Sequence, residues 1–257
     1  MPRFTPPTPL TPYQRALIIG ASSGIGEALA RHLAAENYRL ALLARRAERL
    51  QALCEKLNQP EPRAIFYVHD VTHYQEVPTL LERILADLGG LDAVFYVAGL
   101  NEPPGGLDRY DFEKDRRMIE TNLLGAMAWL DAIAPLFQQA GRGQIVGISS
   151  VAGERGRVGN PGYGASKAAL TSYLESLRNR LTRHGVHVLT VKPGFVQTEM
   201  LKAAQKVFFP ISAERAAGDI VRALKQRKQE IYTPWFWRYI MFILRNLPSP
   251  IFRRLTI

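Results

Sequence analysis

Residues 15–37, RALIIGASSGIGEALARHLAAEN, decide how this chain folds. The apolar run at 15–20 reads as a buried strand, and EALARHLAAEN carries apolar residues at helical spacing. Between them stand glycines 20, 24 and 26. A strand that feeds a helix through a glycine turn lets backbone N–H groups approach a pyrophosphate at the helix N-terminus. The spacing is Gly-x3-Gly-x-Gly, so the generic G-x-G-x-x-G fingerprint is only half met. Gly20, Ser22, Ser23, Gly24, Ile25 and Gly26 are therefore candidate cofactor contacts. The same letters fit a G-x-S-x-G nucleophile elbow with Ser22 as nucleophile. A first-strand position and the lack of a glycine-rich oxyanion stretch argue against it.

Outward from this unit, strands and helices alternate. Residues 38–44 read as a second strand ending in Arg45-Arg46. An NAD site calls for an acid here to hold the ribose 2′-OH, whereas an arginine accommodates a 2′-phosphate. Arg45 and Arg46 thus point to NADP(H), with NAD(H) as the alternate cofactor. A third strand, 64–68, runs into Asp70-Val71. A helix at 74–88 precedes a fourth strand, 91–97, closed by Ala98-Gly99. A long helix, 111–139, contains Asn122. Residues 144–148 and 186–191 read as the fifth and sixth strands, the latter leading into Pro193, Gly194, Val196 and Thr198. A helix over 212–228, with Ser212 as its N-cap, and a short strand from 230 complete the pattern. This alternation predicts an α/β chain: a Rossmann-type doubly wound parallel sheet, three-layer αβα, in a single domain over 14–232.

The chemistry is concentrated in residues 143–167, GQIVGISSVAGERGRVGNPGYGASK. Ser149 and Ser150 stand where the fifth strand ends, and Pro161 opens a helical pattern over 161–184. Tyr163 and Lys167, four apart, share one helix face. A phenol titrates near ~10 and a neighbouring ammonium favours the phenolate. With Ser150 donating to a substrate oxygen from the strand end, the three suit protonation of an alkoxide or deprotonation of an alcohol.

Composition narrows the alternatives. The apolar fraction of 47% and charged fraction of 22% are those of an ordinary globular protein. The single cysteine, Cys54, excludes an internal disulfide, and the histidines show no ligand spacing, so no metal is assigned. A reducing cytoplasm suits this usage. The net charge of +10 raises nucleic acid or an anionic membrane as partners, but no basic–aromatic or zinc-finger module supports nucleic acid. Residues 1–13 are proline-rich and read as a flexible arm.

After 232 the pattern changes to TPWFWRYIMFILRNLPSPIFRRLTI. The apolar run 235–244 is far short of the ~20 residues of a spanning helix. Its mixture of aromatic residues with arginine suits a segment lying in a membrane interface, peripheral at the inner surface. The competing expectation is that 233–257 caps the substrate cleft or a subunit interface. Either makes an apolar substrate more plausible.

Taken in order over roughly 14–232, these motifs resemble the classical short-chain dehydrogenase/reductase (SDR) family. Gly20 to Gly26 resembles its cofactor turn, Asp70-Val71 its adenine contact, and Tyr163-x3-Lys167 with Ser150 its hallmark. Asn122 is similar to an asparagine that holds a water in the family's proton relay. Pro193-Gly194 with Val196 and Thr198 resembles the segment that holds the nicotinamide carboxamide. Ile19 replaces the family's usual threonine, and Tyr96-Val97-Ala98-Gly99 replaces Asn-Asn-Ala-Gly. The resemblance implies hydride transfer with Tyr163 as general acid, Lys167 lowering its pKa and holding ribose hydroxyls, and Ser150 steadying the carbonyl oxygen. With NADP(H) preferred, the expected direction is reduction of a ketone or aldehyde, which the apolar tail makes an apolar or lipid-like one; the resemblance implies a homo-dimer or tetramer. The alternatives are an alcohol dehydrogenase working in the oxidative direction and a non-catalytic nucleotide sensor.

Overall fold

The computed structural model describes residues 14–102, 106, 109–203 and 207–255, without the side chains of 202 and 203. The arm expected at 1–13 lies outside the described residues. Seven parallel strands form the main sheet: β1 (Arg15–Ile19), β2 (Arg39–Ala44), β3 (Ala64–Val68), β4 (Ala93–Tyr96), β5 (Gly143–Ile148), β6 (Val186–Pro193) and, after two short strands, β9 (Glu230–Thr233). The short pair β7 (Val196–Gln197) and β8 (Ile211–Ser212) forms a separate parallel ribbon. The sheet order is β3-β2-β1-β4-β5-β6-β9. The chain therefore winds one way from β1 to β3 and the other way from β4 onward. The crevice at the carboxyl ends of β1 and β4 is the switch point where such sheets bind ligands.

Alternate residues of β1 serve opposite faces, and this explains the unbroken apolar run. Ala16 and Ile18 join α1 (Gly24–Ala35), α2 (Ala47–Leu57) and α7 (Ala213–Lys225). Leu17 and Ile19 join α3 (Val77–Leu88), α5 (Gly125–Ala140) and α6 (Pro161–Leu181). A parallel strand covered on both sides has no solvent face to mark with polar residues. The edge strand β3 is the exception, with Phe66 and Val68 exposed.

Two expected helices differ in detail. The pattern at 111–139 resolves into α4 (Phe112–Ile119), a π-helical turn over Glu120–Leu124, and α5. A π turn inserts a residue into the helical ladder and re-aims the side chains around it, often at functional sites. Here it carries Asn122. The apolar tail forms α8 (Trp237–Asn246) and the short α9 (Ser249–Phe252). No described helix is long and apolar enough to cross a membrane.

Candidate active site

The glycine turn opens the site. Gly20 and Gly24 adopt positive φ, at 97° and 56°, which costs little without a side chain. A Cβ on Gly26 would collide with the Gly20 carbonyl, so only glycine lets α1 start this close to the strand. The first turn of α1 then faces a cleft of about 930 Å³ through Ser23, Gly24 and Ile25. Every sequence-derived candidate lines this one cleft except Gly26 and Asn122, which lie behind its wall.

At one end the cleft is cationic. The sequence offers Arg45 and Arg46 alike for the 2′-phosphate, but the two side chains take different paths. Arg45 lies 3.4 Å from Asp70, with its side chain largely exposed. The Arg46 guanidinium crosses the glycine turn, donating to Ser22 Oγ at 2.9 Å and Ser23 Oγ at 2.6 Å. Its other end meets Glu199 at 2.6 Å, which also pairs with Arg49 at 2.7 Å. Hydrogen bonds from Arg49 and Arg46 hold the Glu199 carboxyl down at about 2. Ser22 Oγ is thus held by Arg46, and no histidine bonds to it among the described residues, leaving no hydrolase elbow.

At the other end stand the serine, phenol and ammonium. β5 delivers two serines with different work. Ser149 is buried, bonded to the Lys167 carbonyl at 2.9 Å and to Thr171 at 2.6 Å, and so fastens α6 to the strand. Ser150 faces the cleft, accepts from the Ala152 N–H at 3.0 Å, and hydrogen-bonds Tyr163. Asn160 caps α6 and Pro161 occupies its first turn, which fixes where Tyr163 emerges. Lys167 is 3% exposed; its Nζ donates to the Ile148 carbonyl at 2.8 Å and sits 5.9 Å from the Tyr163 ring centre.

Electrostatics of this cluster run partly against the sequence argument. Burial brings the Lys167 ammonium down to about 8, so it remains mostly charged at neutral pH. Burial raises the Tyr163 phenol, and the hydrogen bond from Ser150 acts in the lowering direction. The phenol therefore titrates above its usual range, with Ser150 opposing the rise.

Asn122 is fully buried and acts as a brace. Its Oδ1 accepts from the Leu100 N–H at 2.6 Å, and its Nδ2 donates to the Leu100 carbonyl and to Ser166 Oγ, each at 2.9 Å. Ser166 in turn donates to the Tyr163 carbonyl at 2.7 Å. The π turn thereby connects the loop after β4 to the helix turn bearing Tyr163.

Several contributors escaped sequence reasoning. Glu154, with a side chain 3% exposed, meets Lys192 at 2.5 Å and the Tyr232 hydroxyl at 2.8 Å, and Lys192 also meets Glu230 at 2.7 Å. Arg155 reaches the Leu244 carbonyl and the Leu247 carbonyl, the latter at 2.8 Å, and its guanidinium lies 3.8 Å over the Phe252 ring. Arg157 bonds the Val151 carbonyl at 3.2 Å and Met241 Sδ at 3.3 Å. The loop after Ser150 is thereby fastened to α8. The nearest signal for this was the run of charges in GERGR, unexplained by any motif. The inner face of α8 packs behind the cleft lining: Trp237 and Met241 are buried against Val151, and Trp237 occupies the space where a Gly194 Cβ would project.

The residues fit a nicotinamide dinucleotide: a side-chain-free turn at a helix N-terminus, arginines beyond β2, and a hydroxyl–phenol–ammonium group at the far end. Comparison with known proteins agrees. The family described as short chain dehydrogenase matches residues 14–207. An uncharacterized oxidoreductase of Myxococcus xanthus is 34% identical over 244 residues, covering 93% of this chain and 95% of that protein. Ketoacyl reductase HetN of Nostoc is 30% identical over 220 residues, 84% of this chain and 76% of that one. Among solved structures, a variant of actinorhodin polyketide ketoreductase with NADPH superposes with a TM-score of 0.74 at 26% identity, covering 82% of this chain and 89% of its own. The chain belongs to the short-chain dehydrogenase family of NAD(P)-dependent oxidoreductases.

Proposed function

We propose that this enzyme uses NADPH to reduce the carbonyl of an apolar ketone or aldehyde. The observation that carries the reading is the convergence of Ser150, Tyr163 and Lys167 on one end of a cleft whose other end presents Arg46 and Arg45. A bound nicotinamide would supply the hydride to the carbonyl carbon. The protein's part is to place the carbonyl and provide the proton. Ser150 donates to the carbonyl oxygen and orients it. Tyr163 gives its hydroxyl proton to that oxygen as negative charge develops there. With the Ser150 proton committed to the substrate oxygen, the phenolate left behind is favoured by the Lys167 ammonium, a charge in surroundings too dry to screen it. Asn122, through Ser166, holds the turn that aims Tyr163.

Preference for NADPH is supported by Arg46 on the glycine turn and by the absence of an acid at the end of β2. The NADPH bound to the actinorhodin ketoreductase and the ketoacyl reductase name of the Nostoc relative agree in cofactor and direction. An apolar substrate is supported by Val151, Phe195, Met200 and Leu201 along the cleft. A homo-dimer or tetramer remains the assembly the family resemblance implies, and light scattering tests it.

The test is NADPH oxidation in the presence of a panel of apolar ketones, with wild type and Tyr163→Phe. Positioned proton transfer contributes ~100- to 10,000-fold, so the variant should lose at least ~100-fold in turnover while binding NADPH as before. Unchanged turnover in Tyr163→Phe would remove the proposed acid.

A further inference from the structure

The inner face of α8 is buried against Val151 of the cleft lining, but its outer face is apolar as well. Tyr239, Phe242 and Ile243 are 63%, 61% and 61% exposed. Trp235, 67% exposed, packs edge-on to Tyr239. A second segment adds to the same surface: Phe209, 65% exposed, meets Phe236 at 5.5 Å, while Phe208 lies against Phe195 of the cleft. Exposed aromatic groups gathered from two distant segments mark an interaction surface rather than ordinary scatter. The segment is also held rigidly in place by Arg155 and Glu154, so this face is a fixed feature of the fold.

Charge identifies the occupant. Residues 233–257 contain four arginines and no acid. Helical spacing puts Arg238 and Arg245 together along one edge of the exposed face of α8, beside Phe242. Arg238, Arg253 and Arg254 are exposed and form no ion pair with the described residues, while Arg245 reaches Glu154 at 3.4 Å. Tryptophan and tyrosine with arginine at the border of an aliphatic surface match the chemistry of a bilayer's headgroup level. A protein partner of neutral apolar surface would leave these cations unused.

We propose that this face docks the enzyme on an anionic lipid surface, with the mouth of the cleft turned toward the bilayer. Phe208 and Phe195 connect the docking face to the cleft, so a carbonyl compound dissolved in the membrane enters without crossing water. That delivery role rests on the apolar-substrate reading above; the docking itself does not.

The experiment is co-sedimentation of the full-length protein with vesicles of phosphatidylcholine alone or mixed with phosphatidylglycerol, needing no turnover. Wild type binds the anionic vesicles and not the neutral ones. Phe242→Ser, at an exposed site that leaves the core intact, lowers partitioning by about tenfold. Arg238→Gln lowers it by about fivefold, the worth of one cation near an anionic surface. Wild type that stays in the supernatant with both vesicle types overturns the proposal. So does a dimer, by light scattering, that Phe242→Ser converts to monomer, because the face is then covered by a second copy. Wild type that binds anionic vesicles but oxidises no NADPH with the ketone panel faults the reductase reading and leaves docking in place.

Discussion

Replacing Lys167 with methionine separates what the lysine costs the fold from what it gives the chemistry. Its side chain is buried to 3% exposure with its ammonium hydrogen-bonded to a carbonyl and no carboxylate paired with it among the described residues, and its pKa falls from 10.5 to about 8. At about 1.4 kcal/mol per unit, the depression corresponds to about 3 kcal/mol of stability forfeited while the group is charged. The unfolded chain holds this proton up to about 10.5 and the folded chain only to about 8. The penalty is therefore complete below 8, shrinks as pH rises between the two values, and vanishes above them. Lys167→Met has no such group, though it leaves the Ile148 carbonyl unpaired, at about 1–3 kcal/mol. The two effects oppose at pH 7, so the informative quantity is the change with pH. Urea unfolding of both cofactor-free proteins at pH 7 and pH 10 should show wild type gaining about 2 kcal/mol on the variant. A difference independent of pH would mean that Lys167 is not desolvated as the structure shows, and its role in tuning Tyr163 would lose its basis.

Three further outcomes follow from the buried and cleft-side ion pairs. Glu154→Leu removes the best-buried partner of Lys192 and should cost about 3 kcal/mol, read from the urea midpoint, with faster proteolysis within 233–255. Glu230→Gln, which removes the more exposed partner of the same lysine, should cost less. Glu199→Gln frees Arg46 and Arg49 from a competing carboxylate and should tighten NADPH binding several-fold without changing NADH. Equal changes for both cofactors in a fluorescence titration would show that Arg46 does not meet the 2′-phosphate.

The layered parallel fold was legible because each strand of the main sheet carries its own evidence, whereas the two-residue strands β7 and β8 are too short to leave a pattern. In the 64–68 run the expected strand and β3 coincide, and the apolar run of β1 reflects burial on both faces. The cluster proposed to be catalytic was legible as a cluster because its members are close in sequence: Ser150, Tyr163 and Lys167 lie on one strand-to-helix connection. What escaped depends on contacts across long separations. The π turn at Asn122 has no periodic signature, since its neighbours are as helical as those of an unbroken helix. Arg45 and Arg46 are adjacent in sequence, and only the side-chain paths, one to Asp70 and one to Ser22 and Ser23, tell them apart. The tail's apolar residues lie on both sides of α8, one side packed on the loop after Ser150 and the other exposed. Composition records both sides, but only the packing of Trp237 and Met241 identifies the inner one.

The most direct measurement is a titration of the purified protein with NADPH and NADH, followed by nicotinamide fluorescence, for wild type, Arg45→Ala and Arg46→Ala. The account predicts tighter binding of NADPH than NADH in wild type. It also predicts that Arg46→Ala erases the difference, with a smaller loss in Arg45→Ala. Preference for NADH, or an NADPH preference untouched by either substitution, would contradict it.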